Sequence, residues 1–186
     1  MMKILNLYCS RTGNTGKIAA TIAAAAYGLG HDVRSVRIQA EPETETVEML
    51  DYDAVFIGSG VYSWLPPQPM YRFITKQHER YAARGLIRPN SPRLPGKTAV
   101  VYATFGGPHT GMNEGLITPK FLGQLPDHLG FEVVAEWLFP GEFKVPGYTQ
   151  YSVGGRLGDL RGHPDEDDLR RAAQMTTKIL QHHNRR

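Results

Sequence analysis

The stretch that decides the fold is "ILNLYCSRTGNTGKIAATIA", residues 4–23. An apolar run stops at Cys9, six small or polar residues follow, and an alanine-rich segment begins at once. Ile18, Ile22 and Ala26 recur at intervals of four, with Ala19 and Ala23 beside them, so the later part predicts a helix. The loop at residues 10–15 therefore joins the carboxyl end of a strand to the start of a helix. There the free backbone N–H groups and the helix dipole favour an anion.

Working outward, the same alternation repeats along the chain. Strand-like runs are "KILNLY", "DVRSVRI", "DAVFIGS", "KTAVVYAT" and "FEVVAEWLF". The second alternates, as a half-exposed edge strand does. The third and fourth are nearly continuous apolar, as strands covered on both faces are. Met70, Phe73, Ile74 and Tyr81 predict a helix between strands three and four, and Phe121, Leu122, Leu125 and Leu129 another before strand five. In the last helix Leu169, Ala172, Ala173, Thr176, Ile179 and Leu180 form the apolar stripe. Pro164 is expected in its first turn, with acids at residues 165–168 and bases at residues 178–186 matching the dipole. Strict alternation of strand and helix predicts an α/β, three-layer doubly wound fold, a five-stranded parallel sheet of order 2-1-3-4-5. Residues 1–186 are expected to form a single domain. In such sheets ligands bind beyond the carboxyl ends of the strands, near the switch point between strands one and three.

Composition narrows the class. The chain has 186 residues, 41% hydrophobic and 21% charged, with a net charge of +3 and one Cys. That is the make-up of an ordinary globular protein without an internal disulfide, and a cytoplasmic location is the expectation. No apolar stretch approaches the roughly 20 residues that cross a bilayer. The N-terminus "MMKILNLYCS" lacks the layout of a signal peptide. Neither a membrane nor a nucleic-acid partner is expected, since the basic residues are scattered.

Spacing eliminates three of the chemistries that use such a first loop. A nucleoside-triphosphate loop, G-x-x-x-x-G-K-[ST], would place its first Gly on Arg11 and its hydroxyl on Ile18. A Cys-x5-Arg phosphatase loop starting at Cys9 meets Thr15 instead of arginine. A dinucleotide fingerprint needs three glycines, and only Gly13 and Gly16 are present. Two readings remain: a phosphate monoester held by neutral donors from Ser10, Thr12, Asn14, Thr15 and the backbone, or a plain helix cap.

The motif S-x-T-G-N-T directly after the first strand resembles the phosphate loop of the flavodoxins. "FIGSGVYSWLPPQPMYRFI", residues 56–74, is similar to their second flavin loop, and "YATFGGPHTG", residues 102–111, to their third. The resemblance covers essentially the whole chain and implies FMN as cofactor. It assigns Ser10, Arg11, Thr12, Gly13, Asn14 and Thr15 to the phosphate. It assigns Ser59, Gly60, Val61, Tyr62, Ser63 and Trp64, with Thr104, Phe105, Gly106 and Gly107, to the ring. Tyr62 matches the aromatic that stacks on the ring, with Trp64 the second candidate. Phe105 and His109 are the candidates for an outer aromatic. The resemblance also implies a peptide in the second loop that reorients when the flavin takes up a proton at N5. Its position here is Ser63, whose Cβ resists the flipped conformation where glycine would not.

Other residues are discounted. His182 and His183 are read as a solvated helix end, not a metal site, and residues 165–168 as charges matched to the dipole. Cys9 is read as a small buried apolar residue, with a reactive thiol as the alternative. Trp137 is assigned to packing. The leading expectation is an FMN-binding electron-transfer protein, working with a redox partner protein or a small-molecule electron acceptor. The alternatives are an NAD(P)H-dependent quinone or small-acceptor oxidoreductase, or a flavin-free interaction module. Two long loops, residues 84–97 and 140–163, favour the oxidoreductase, and Arg84, Arg88, Arg93, Arg156 and Arg161 are candidates to attract a phosphorylated nucleotide.

Overall fold

The computed structural model describes residues 1–39 and 47–183. The bases expected at residues 184–186 lie outside the described residues. The strands are β1 (Lys3–Cys9), β2 (Asp32–Arg37), β3 (Ala54–Gly60), β4 (Thr98–Phe105) and β5 (Glu132–Pro140). The helices are α1 (Asn14–Gly28), α2 (Gln68–Ala83), α3 (Ile117–His128) and α4 (Glu166–His183). All neighbouring strands pair in parallel, in the order β2-β1-β3-β4-β5 expected from the alternation.

The two faces of the sheet bury separate cores. Ile18, Ile22 and Ala26 of α1 and Ala172 and Leu180 of α4 pack with Ile4, Phe56, Val100 and Trp137 on one face. Met70, Phe73 and Tyr81 of α2 and Leu122 and Leu125 of α3 pack with Leu5, Leu7, Val55 and Val101 on the other. Every residue of β3 and β4 is buried, which explains their unbroken apolar runs, whereas no residue of β2, on the sheet edge, is fully buried. Trp137 belongs to the core, its ring centroid 6.0 Å from that of Phe56.

Local signals explain the helix ends. α1 stops in a left-handed turn at Gly30 (φ 79), with Gly30 N–H on the Tyr27 carbonyl and His31 N–H on that of Ala26. At α4 the expected Pro164 precedes the helix instead of sitting in its first turn, and Asp165 takes over the start. Asp165 Oδ1 accepts from the N–H groups of Asp167 and Asp168, while Asp168 Oδ2 accepts from Asp165 N–H. That reciprocal cap uses the acidic run for hydrogen bonds as well as for the dipole.

One buried polar pair ties the centre of the sheet together. The Tyr102 hydroxyl donates to Asn6 Oδ1 at 2.9 Å, and Asn6 Nδ2 donates to the Ala19 carbonyl at 2.9 Å. Tyr102 fits only because its neighbour in β3 is Gly58, where a Cβ would lie 2.0 Å from the ring. No helix among the described residues is long and apolar enough to cross a membrane.

Candidate functional site

The carboxyl ends of β1, β3 and β4 carry the three loops singled out in the sequence. The first turn is built around Gly13, whose φ of 96° places it in the left-handed region with open space around it. Gly16 N–H donates to Ser10 Oγ at 3.1 Å, and Lys17 N–H to the Gly13 carbonyl at 3.0 Å. The N–H groups of Arg11, Thr12, Gly13, Asn14 and Thr15 find no acceptor among the described residues. A plain cap would have used them, but the N-cap residue is Gly13, which has no side chain, and Ser10 Oγ meets only Gly16 N–H. Consecutive unspent N–H groups at a helix start form an anion cradle.

Asn14 is directed elsewhere than expected. Its Nδ2 donates to the Glu142 carbonyl at 2.9 Å, so the amide ties the first loop to the segment after β5 and does not supply that donor to an anion. Asn14 is only 7% exposed, and its Oδ1 is buried without a partner. A buried acceptor left open costs about 1–3 kcal/mol until a donor reaches it. A hydroxyl-bearing ligand beside the anion cradle is the kind that fits. Thr15 also turns inward, its Oγ1 2.8 Å from Thr104 Oγ1 at the end of β4. The first and third loops are therefore locked by a buried hydroxyl pair.

The second loop is a tight turn. Tyr62 N–H donates to the Leu65 carbonyl at 2.8 Å, and Ser63 (φ 48) and Trp64 (φ 68) both occupy the left-handed region. Non-glycine residues held there cost about 1–2 kcal/mol each. Ser63 thus already adopts a conformation that its Cβ disfavours. Val61 N–H holds the Thr104 carbonyl at 3.0 Å, and the Trp64 carbonyl accepts from Thr118 Oγ1 at 2.8 Å. Ser59 is buried, its hydroxyl on the Gly60 carbonyl. Tyr62 is half-buried beside Gly60 and Thr15, with the Arg11 guanidinium 5.2 Å from its ring centroid. Burial raises the Tyr62 hydroxyl pKa, the Arg11 charge working against it. Trp64 is 58% exposed at the rim.

The third loop is covered by the long segment after β5. The Phe143 ring packs onto Gly106 so closely that a Cβ there would lie 2.1 Å away. Gly107 makes a similar approach to the Gly111 carbonyl. Arg156 N–H donates to the Pro108 carbonyl at 3.2 Å, and Gly141 N–H to that of Phe105 at 2.9 Å. Phe105 itself is buried in β4, while His109 is exposed with its ring edge-on to Tyr151. Lys17 Nζ reaches the carbonyls of Gly162 and Pro164 and pins the far end of the segment to α1.

Other sequence candidates fall away from this constellation. Arg84 and Arg93 pair with Glu48 and Asp127 at the amino ends of the strands, the wrong end of the sheet. Arg161 pairs with Asp159. Cys9 is buried, which raises its thiol pKa against the lowering charges of Arg37 and Arg11. His163, Asp165 and Asp168 bring ligand-type atoms within 4.8 Å of one another, and their hydrogen bonds are those of the helix cap. Sequence reasoning missed Glu142, Phe143 and Arg37. Nothing periodic marks the first two. Arg37 was within reach: the order β2-β1 sets it opposite Tyr8, at the ligand-binding ends of the strands.

Comparison with known proteins agrees with this architecture. The flavodoxin domain model matches residues 5–149, and the chain belongs to the flavodoxin domain family. Membership implies a flavin cofactor. An uncharacterized protein of Methanocaldococcus jannaschii is 29% identical over 184 residues, covering 96% of this chain and 99% of the relative. An NAD(P)H dehydrogenase (quinone) of Archaeoglobus fulgidus is 27% identical over 207 residues, covering 97% of each. Among solved structures, oxidised Flavodoxin 1 from Bacillus cereus superposes with a TM-score of 0.65 at 18% identity, covering 97% of this chain and 98% of that one.

Proposed function

We propose that the chain binds FMN across the ends of β1, β3 and β4 and acts in electron transfer. The observation that carries this reading is the run of unspent N–H groups at residues 11–15, which suits a terminal phosphoryl group. Those groups, with the hydroxyls of Ser10 and Thr12, hold the phosphate. Asn14 Oδ1 accepts from a ribityl hydroxyl, which supplies its missing partner. Tyr62 offers an aromatic face, and the backbone of residues 58–63 and 104–107 lines the polar edge of the ring. When bound, the flavin supplies reversible redox chemistry. The chain's own part is to position it, with the segment after β5 closing over the third loop and limiting water. The electrons come from a redox partner protein and go on to another partner protein or to a small-molecule acceptor.

A second reading has specific support. The 27%-identical relative from Archaeoglobus fulgidus is named as an NAD(P)H dehydrogenase (quinone), and the segment packed on Gly106 could wall a substrate pocket. Fold alone does not separate carrier from enzyme. Titration with FMN is expected to quench its fluorescence at an equimolar ratio, and absence of binding would overturn both readings. Anaerobic mixing of the loaded protein with NADPH then decides between them. Rapid bleaching of the flavin's visible band assigns the reductase, and an unchanged band assigns the carrier.

A further inference from the structure

A cavity of about 940 Å³ lies on the β2 side of Tyr62, between the end of β2 and the proline run that leads into α2. Cys9, Ile38, Leu65, Pro66, Pro67 and Tyr71 give it apolar walls. The prolines have no N–H to offer, so this surface holds a ligand by contact and not by donated hydrogen bonds. The volume falls within the range of small-molecule sites, roughly 300–1,000 Å³.

Its charge is one-sided. Arg11 and Arg37 line it, and among the described residues no Asp or Glu does. Arg37 Nη2 donates to the Ser10 carbonyl at 2.7 Å, and Arg11 sits over the Tyr62 ring. Neither has a carboxylate partner among the described residues, although Arg80, Arg84, Arg93, Arg161, Arg170 and Arg171 all do. Both guanidinium charges are felt by Cys9, another lining residue. Two neighbouring cations without a counter-charge among the described residues, set in an apolar wall, are complementary to a flat molecule with a single anionic end.

We propose that this groove binds a small aromatic carboxylate, its ring against the proline and tyrosine walls and its carboxylate between Arg11 and Arg37. This goes beyond the flavin reading and does not depend on it, since the groove adjoins the cradle at Ser10 and Arg11 and extends away from it toward β2 and the proline run. Ser10, Arg11, Tyr62 and Ser63 line both places.

The test is calorimetric titration of the FMN-treated protein with naphthoate and, in parallel, with neutral naphthamide of the same shape. Naphthoate is expected to bind about tenfold or more tightly than naphthamide, as charge-assisted hydrogen bonds require. Arg37→Gln is expected to cost about tenfold in naphthoate affinity while leaving naphthamide unchanged. Arg11→Gln is expected to give the same selective loss and serves if the first variant folds poorly. No naphthoate binding, equal affinity for the two probes, or an unaltered affinity in both variants would overturn the proposal. So would displacement of FMN by naphthoate in equal amount, which would make the groove part of the flavin site. A protein that takes up naphthoate but no FMN would sink the flavin reading and leave this one standing.

Discussion

The two ends of the sheet are built from similar residues and spend them differently. At the amino ends the polar groups are closed on one another. Lys97 Nζ donates to the carbonyls of Leu50 and Tyr52, Asp53 takes the Lys3 N–H, and Glu48 Oε2 accepts from Arg80 and Arg84. At the carboxyl ends, among the described residues, the donors of residues 11–15 remain open, two guanidiniums lack a counter-charge, and two non-glycine residues hold left-handed turns. Among the described residues each end has one orphaned acceptor, Glu48 Oε1 and Asn14 Oδ1. They are not equivalent. The Glu48 carboxylate has its charge met by two guanidiniums through its other oxygen, whereas Asn14 has nothing on that side. The difference teaches that the parallel sheet concentrates unsatisfied hydrogen-bonding capacity where the strands end, the capacity on which the proposed flavin site rests.

The comparison breaks first, if at all, at Thr12. Thr12→Asp sets a negative charge in the cradle, and two like charges about 4 Å apart near a protein surface repel by a few kcal/mol. FMN affinity is expected to fall ~100-fold, with riboflavin, which lacks the phosphate, changed by no more than about threefold. Equal losses for both ligands in fluorescence titrations would remove the phosphate from the first loop.

Glu48 tests the closed end. Burial tends to raise its pKa, but the hydrogen bond from Arg84 and the charges of Arg80 and Arg84 outweigh burial, leaving it below 4.5. A depressed carboxyl stabilises the fold above its unfolded value and loses that contribution as pH falls through the folded value. Glu48→Gln is therefore expected to lower stability at neutral pH by on the order of 1 kcal/mol, as partly exposed pairs do. It should also flatten the acid fall in Tm below about pH 4.5. A parallel shift of the whole profile would mean that the charge is not what matters.

The smallest effect is expected at Arg93. Arg93→Ala should change stability by no more than about 1 kcal/mol and leave FMN affinity and reactivity toward NADPH unaltered. A weakened nicotinamide reaction in stopped flow would return the amino-end arginines to the functional site.

Much of this layout was legible in the sequence, because it depends on period and on short spacings. Continuous apolar runs gave β3 and β4, four-residue recurrence gave the helices, and the spacing from Cys9 to Lys17 excluded competing loops. The first loop was legible as either an anion cradle or a plain helix cap, since a strand end followed by Gly13 and a helix start leaves N–H groups to be met. Only the structure shows that the N–H groups of residues 11–15 find no acceptor among the described residues. The destination of Asn14 was not legible. Its partner Glu142 is 128 residues away, on a segment with no repeating pattern. The packing of Phe143 on Gly106, the inward pairing of Thr15 with Thr104 and the exposure of Trp64 are of the same kind.

The sequence by itself determined the order of elements, the two-sided burial of the central strands and the place where an anion would be received. Local backbone sterics and hydrophobic periodicity operate within a few residues, so one dimension suffices for them. Only the tertiary structure decided which side chains close that place. It turned Asn14 away from the cradle, laid the segment after β5 over the third loop, and left Arg11 and Arg37 facing an apolar groove. Those outcomes depend on packing between surfaces far apart in the chain, where the fit of one ring against one missing Cβ chooses the contact.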